Sequence, residues 1–486
     1  MLAFASSAQL ILLGTGTAII KVSKNVNLQF NNILRTANGD LTVEANQQTI
    51  PSSGNFIGVN LATNCIIEAT GTGIVAVRGK GGNTLAGNYG VSVFAAKISG
   101  GTAGTLIVNG TGGASTDQLN YGVVISSTNS IITSSGGNVS VTGLGGGSGA
   151  SNSNVGVYAS RGNVTAGGSG TVSVRGTGGL GTGVNNYGIA IESGTITSTS
   201  GNVSVTGQGG SSGSAAGIAV SSSGRITAGN NASVTVHGAG GPSSGYGVWL
   251  AINGTITSSG GNVNVTGQGN GNNGNSWGIS LQGSGVISAG GSGIVTVFGT
   301  GSLAGSGNYG LVVSGSGSLI NSSGGDVNVT GQGGGTGASS LNIGISIQFE
   351  GTITAGGSGT LTVLGTGAVS TGTNNHGIYI SGANSKITSA GGNVNITGLK
   401  GINSPSAKDI LLETGGIISS TGAGGDITLT STSGATSPNP SGTDITITDT
   451  KTLSFGNNSK INIDIDGTIV DAQYQQLNVA GLINPQ

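Results

Sequence analysis

General acid–base chemistry needs carboxylates held close together, or a carboxylate beside a cation. This 486-residue chain scatters them. Between positions 70 and 405 the acids are Asp117, Glu192, Asp326 and Glu350, none of them next to another in sequence. His237 and His376 lie far apart in the chain; each reads as a tolerated surface position rather than half of a metal site. Cys65 is the single cysteine, set in TNCIIEA, and reads as a packed thiol. It excludes an intrachain disulfide framework and a cysteine-based zinc cluster. Asp464, Asp466 and Asp471 in DIDGTIVD faintly suggest calcium, although strict alternation in INIDID explains the first two as one polar face. Strings like GxGxxG are frequent, but with 102 glycines and no following helix they carry no nucleotide signal. No catalytic, cofactor-binding or metal residue is therefore assigned. The side chains that do suggest contact are Tyr187, Trp249, Trp277 and Tyr309, aromatics beside Asn-rich loops. Aromatic faces and amides are what a sugar ring requires.

Composition narrows the classes further. Glycine makes up about 21% of the chain (102 of 486) and charged residues 6%, with a net charge of −1. So few cations give no electrostatic footprint for nucleic acid or an acidic membrane. No apolar run reaches the roughly 18 residues that cross a bilayer. Glycine does not recur every third residue, which excludes collagen. Disorder combines low hydrophobicity with high net charge; here 35% of residues are hydrophobic and mean hydropathy is +0.17.

The elements that must position the aromatics follow from an internal repeat. NVSVTG occurs at 138–143 and 202–207, NVNVTG at 262–267, DVNVTG at 326–331 and NVNITG at 393–398. Related strings interleave: TVSVRG from Thr171, SVTVHG from Ser233, IVTVFG from Ile294 and TLTVLG from Thr360. A glycine precedes an alternating apolar segment from Gly58 through Gly122, Gly156, Gly188 and onward to Gly377, at a nearly constant spacing. Each unit holds three short segments of period two, as in YGIAIE (187–192), TITS (195–198) and NVSVTG (202–207). Period two marks half-buried strands. The expected fold is all-β: a right-handed parallel β-helix with three strands per coil, about 32 residues per coil and roughly 13 coils. Residues 1–30 are expected to lead into the solenoid as strands, 31–430 to form its body, and 431–486 to be degenerate coils that continue in a longer protein. Val139, Val172, Val203 and Val234 should share one interior column. Thr165, Thr197, Thr227, Thr257, Thr354 and Thr388 should form an outward row interrupted at Ser288 and Asn321.

SGGNVSVTG (135–143), GGDITLTS (424–431), ANGDLTVEA (37–45) and INIDIDGTIVDAQYQQLNVAG (461–481) resemble the repeats of filamentous haemagglutinin-like and autotransporter-passenger-like bacterial exoproteins. The resemblance implies export across the outer membrane and a role as a surface stalk or adhesin. The chain shows neither the N-terminal secretion domain nor the C-terminal membrane barrel of such proteins, so it is expected to be a fragment. The expected function is a non-enzymatic structural stalk or adhesin segment, extracellular or on the bacterial surface. Its partners would be host or environmental glycans or matrix, bound weakly and multivalently along one edge of loops. An ice-binding solenoid, a polysaccharide-degrading enzyme and a self-assembling fibre are the alternatives.

Overall fold

The computed structural model describes residues 1–211, 214–243, 245–413, 415–420 and 425–431, together with the strands at 445–447, 452–455, 477–479 and 483–485. Among the described residues the chain is all β, without a helix. It forms a parallel β-solenoid with about 32 residues per turn and three strands in each. In the turn that opens at Gly122 these are Val123–Ser126, Ile131–Ser134 and Val139–Leu144, termed here the first, second and third strands. Each pairs in parallel with the like strand of the next turn.

The chain divides into two compact units, residues 1–243 with 254–256, and 244–253 with 257–486. Among the described residues the first unit has eight third strands, from Ala18–Val22 to Val234–Ala239. The second has six, from Val263–Gln268 to Ile427–Ser431. The opening turn is shorter than the rest: Leu2 pairs with Val26 and Ala18 with Leu41. Residues 1–30 thus already build a complete turn and begin the next.

Alternation decides what lies inside. Val139, Val172, Val203 and Val234 pair in register and are 1%, 1%, 1% and 0% exposed. Each such side chain contributes about 1.5–3 kcal/mol when buried. The intervening Ser140, Ser173 and Ser204 face outward. The threonine row is also in register: Thr133, Thr165, Thr197 and Thr227 stack in the first unit. Ser288, Asn321, Thr354 and Thr388 do so in the second.

The last inward position of the second strand is small and alternates. It reads Ser134, Ala166, Ser198, Ala228 in the first unit and Ala289, Ser322, Ala355, Ser389 in the second. The turn that follows alternates with it. After serine, the buried hydroxyl donates to a backbone carbonyl of the turn, as Ser134 does to Gly137 and Ser322 to Gly325. After alanine, the residue two places on takes a left-handed conformation, as at Gly168 (φ 51°) and Gly357 (φ 54°). The turn then closes on its own backbone, Gly170 N–H donating to Gly167 and Gly359 N–H to Gly356. Two turn chemistries therefore alternate from Ser134 to Ala228 and from Ala289 to Ser389, which explains why the clearest sequence repeat spans a pair of coils. Ser389 is then followed in register by Ser420, where the alternation stops.

At the third corner there is no side chain at all. Gly143 near the end of one third strand faces Gly156 at the start of the next first strand, and a Cβ on Gly143 would overlap the Gly156 carbonyl oxygen. Gly331 and Gly344 repeat the contact in the second unit. The loop between such glycines leaves the solenoid through a gap one backbone wide.

Charge enters the stack chiefly near the start. Glu44 lies between Lys21 (3.3 Å) and Arg78 (2.7 Å), and Glu68 between Arg35 Nε (2.7 Å) and Lys97 (3.0 Å). Burial pushes the Glu68 carboxyl up, but hydrogen bonds and charge from Lys97 and Arg35 together outweigh it, and its pKa ends below the ordinary glutamate value. A depressed carboxylate adds stability above its unfolded pKa of about 4.3 and loses it as pH falls through the folded value. Glu68→Gln should lower the melting temperature at pH 7 and flatten the acid-side loss that wild type shows between pH 5 and 3 (about the carboxylate range), as read by melts across that range. The interior column gives a second expectation. Val203→Asp should destabilise by about 4 kcal/mol or more, whereas Ser204→Asp should stay within about 0.5 kcal/mol, measured by denaturant titration.

Candidate functional site

The loops that pass between the paired glycines carry the aromatics. Each ends on a short motif: a residue of positive φ, a buried asparagine, a variable residue and the glycine. In the first unit the asparagines are Asn88, Asn120, Asn154 and Asn186, all fully buried. They bond in sequence down the stack. Asn120 Nδ2 donates to Asn154 Oδ1 (3.0 Å), and Asn154 Nδ2 to Asn186 Oδ1 (2.9 Å). The same oxygens accept the backbone N–H of Asn120 (3.1 Å) and Asn154 (2.8 Å). In the second unit the N–H groups of Ser276, Asn308 and Asn342 donate to the next asparagine along, at 2.9–3.0 Å. The residue before each of these positions is left-handed: Gly87, Leu119, Ser153 and Asn185 before the asparagines of the first unit, and Asn275, Gly307, Leu341 and Asn374 before Ser276, Asn308, Asn342 and Asn375 of the second. This kink and the ladder turn the variable residue back over the outer face of the first strands.

That face is consequently roofed. Period two predicts exposed side chains at the outward first-strand positions, yet Ser92, Ala190, Ser280 and Ser346 are all buried. The roof contains two aromatic rows. In the first unit Tyr89 stacks on Tyr121 (centroids 5.3 Å, interplanar 15°) and Tyr121 meets Tyr158 at 5.1 Å. Tyr187 packs against the same cluster, as does Val155 at the variable position of its own turn, with Val124 and Ala190 of the first strands beneath. In the second unit Tyr246 lies 6.0 Å from Trp249 and 5.2 Å from Trp277, and Trp277 lies 5.3 Å from Tyr309. Trp277 Nε1 donates to the Gly307 carbonyl at 2.8 Å, which fixes the indole plane.

Of the four aromatics expected to make contact, Trp249, Trp277 and Tyr309 come together through Tyr246, while Tyr187 belongs to the other unit's row. Tyr89, Tyr121, Tyr158 and Tyr246 complete the rows, and sequence reasoning does not single them out. A signal for them exists in the N-Y-G strings at 88–90 and 120–122, in G-Y-G at 245–247, and in the position two residues after the glycine, which holds Tyr158 as it holds Trp249 and Tyr379. Burial pushes the hydroxyl pKa of Tyr121 up, with the neighbouring Tyr158, Tyr89 and Glu192 adding to it. The Tyr121 hydroxyl therefore stays protonated throughout the physiological range.

His376 does not sit on the surface as expected. It is 6% exposed, because it holds the variable position under the roof and stacks on Tyr379 at 5.9 Å. Burial lowers its pKa to about 4, helped by the charge of Lys408, and its Nδ1 accepts the Lys408 N–H at 2.9 Å. It is a neutral acceptor at pH 7. His237 is exposed, and Cys65 is buried.

The carboxylates have separate occupations. Glu192 accepts the Tyr158 hydroxyl at 2.7 Å and Glu413 the Tyr379 hydroxyl at 3.1 Å. Asp326 accepts the Thr360 N–H at 2.8 Å, the bond that Asn138 and Asn262 make to Thr171 and Ile294. Among the described residues no group of three or more His, Cys, Asp or Glu is placed to hold a metal. Asp464, Asp466 and Asp471 lie outside the described residues.

The asparagine ladder orients the rows, and its removal should be visible locally. Asn154→Ala takes away one donor and one acceptor and leaves buried partners on Asn120 and Asn186. The expected loss is about 2–4 kcal/mol, with amide exchange at Asn120 rising more than at Val139 in the same turn. Comparison with protein-family models, with curated proteins and with solved structures returns no match to this chain.

Proposed function

We propose that this chain is a non-enzymatic structural stalk or adhesin segment of a secreted, surface-exposed bacterial exoprotein, and that it contacts carbohydrate through the aromatic rows along its loop edge. The observation that carries the reading is the repeated roof: tyrosine and tryptophan are placed in rows by the same asparagine ladder in both units. Aromatic rings supply large, rigid contact area. Repetition along one edge turns weak single contacts into avidity. Glycoside cleavage would need two carboxyl groups about 5–9.5 Å apart across the bond; Glu192 and Glu413 are instead each bonded to a tyrosine of their own unit. Ice binding would draw on the threonine row, but Thr133 and Thr165 share a hydrogen bond with each other at 2.9 Å. Lys97 and Arg225 stand on the same strand face.

A glycan array probed with the wild-type chain, Trp249→Ala and a deletion of residues 267–276 tests this. Multivalent retention on at least one glycan surface is expected, falling about tenfold or more in either variant. Unchanged retention in both, or none by wild type, would leave a passive spacer as the better account.

A further inference from the structure

The first unit holds a groove that breaks the repeat in two places at once. It has a volume of about 530 Å³ and lies across four successive first strands, with Asn60, Ser92, Val124 and Tyr158 along its floor. Three strand spacings make it roughly 14 Å long. Tyr89, Tyr121 and Leu119 form one side, and Phe94 stands at the other.

Leu119 is the first exception. It occupies the left-handed position (φ 64°) that the neighbouring turns of this unit give to Gly87, Ser153 and Asn185. A leucine there is strained, since its Cβ crowds the backbone in a way that glycine and asparagine tolerate better. Phe94 is the second. It ends a first strand where its in-register partner is Ser126, and it is 51% exposed. Leu119 packs on the Tyr121–Val124 cluster at the expense of a left-handed backbone, Phe94 is left half exposed, and both put apolar surface into the same groove. Places where a regular sequence departs from its own pattern at a stability cost are where function is expected.

We propose that this groove is a binding site for an uncharged hexose oligosaccharide lying along the solenoid axis. The proposal deepens the carbohydrate reading above and rests on it, but it concerns a site separate from the Trp249–Trp277 row. The lining matches a sugar ring, which has an apolar C–H face and a polar rim. Tyr89 and Phe94 offer ring surface, with Tyr121 packed behind Tyr89, while Asn60 and Ser126 offer amide and hydroxyl groups at the edge. No Lys, Arg, Asp or Glu lines the groove, and the two charges that act on Tyr158 beside it, Glu192 and Arg161, are opposite in sign, so the site carries no net charge to draw a uronic acid, sulfated or phosphorylated sugar. Glu192 nearby is bonded to the Tyr158 hydroxyl and holds that ring in place. A peptide could not add as a strand, because the backbone beneath is paired on both sides.

The test uses the full chain in titration calorimetry with neutral hexamers of glucose, mannose, galactose and N-acetylglucosamine, and with a galacturonate hexamer. Wild type should bind at least one neutral hexamer and prefer it to galacturonate. Leu119→Asn and Phe94→Ser should each weaken that binding by about fivefold or more, with the melting temperature of Phe94→Ser unchanged. A purely structural Phe94 would not show that combination, since half of its surface is exposed and it supports little packing. If both variants bind as wild type does while Trp249→Ala loses affinity, this proposal falls and the reading of the loop edge stands. Tighter binding of galacturonate also overturns it. If wild type binds none of the neutral hexamers but is retained on the array, the groove assignment alone fails; if it binds no saccharide in either format, both fail.

Discussion

The fold depends on one contact from which side chains are excluded. Where a third strand ends and the next first strand begins, two glycine backbones touch, as at Gly143 and Gly156. A Cβ on the third-strand residue would overlap the facing carbonyl and push the corner open, so that column is glycine from Gly79 to Gly398, with Ala45 before it and Asp409 in the first-strand slot opposite Gly398. The two columns account for 22 of the 102 glycines, about a fifth, without invoking flexibility. It also decides the path of the loop, which must leave and return through one narrow seam. The backbone groups at such a seam cannot all be paired by strand ladders, and the asparagines just inside it take up part of that demand. The aromatic roof then follows: with the asparagine turned inward and the preceding residue left-handed, the next side chain has the outer face of the first strands beneath it.

Polar groups inside the stack are tolerated because each has a fixed partner one turn away or within its own turn. Asn120, Asn154 and Asn186 satisfy one another, and the alternate serines of the second strand satisfy a carbonyl of the turn that follows, as at Ser134 and Ser322. Outside the stack the same logic appears as charge. Glu44 and Glu68 are each held between two cations, in register with them or nearly so. Repetition converts a marginal hydrogen bond or ion pair into a ladder whose members are positioned by the backbone pairing they accompany.

Much of this architecture is legible in the sequence. Val139, Val172, Val203 and Val234 can be stacked from spacing alone, because a period of two fixes the face and the longer repeat fixes the turn. The threonine row is legible for the same reason. The roof is not. Alternation treats Ser92 and Ser280 as outward and therefore wet, and nothing local in the strand reveals that a loop lies over them. The direction of that loop rests on φ at Leu119 or Asn275 and on bonds to residues in the next turn, which strand patterning does not encode. His376 escapes on the same account: its slot looks like a loop position and is a covered one. Tyr158 and Trp249 meet Tyr121 and Tyr246 only because the roof brings a loop residue onto a strand residue.

The alternation of serine and alanine turns has a bearing on how such a chain changes over generations. Loss or gain of a single turn would set two turns of the same chemistry side by side, Ser134 above Ser198 for instance, and place together corners that now differ. Loss or gain of a pair restores the order and every ladder with it. Unequal recombination between similar stretches would therefore favour whole pairs over odd units, although Ser389 and Ser420 show that two serine turns can lie side by side. Reach could then lengthen or shorten in steps of two turns, roughly 10 Å at the strand spacing, while the chemistry along the edge is left intact.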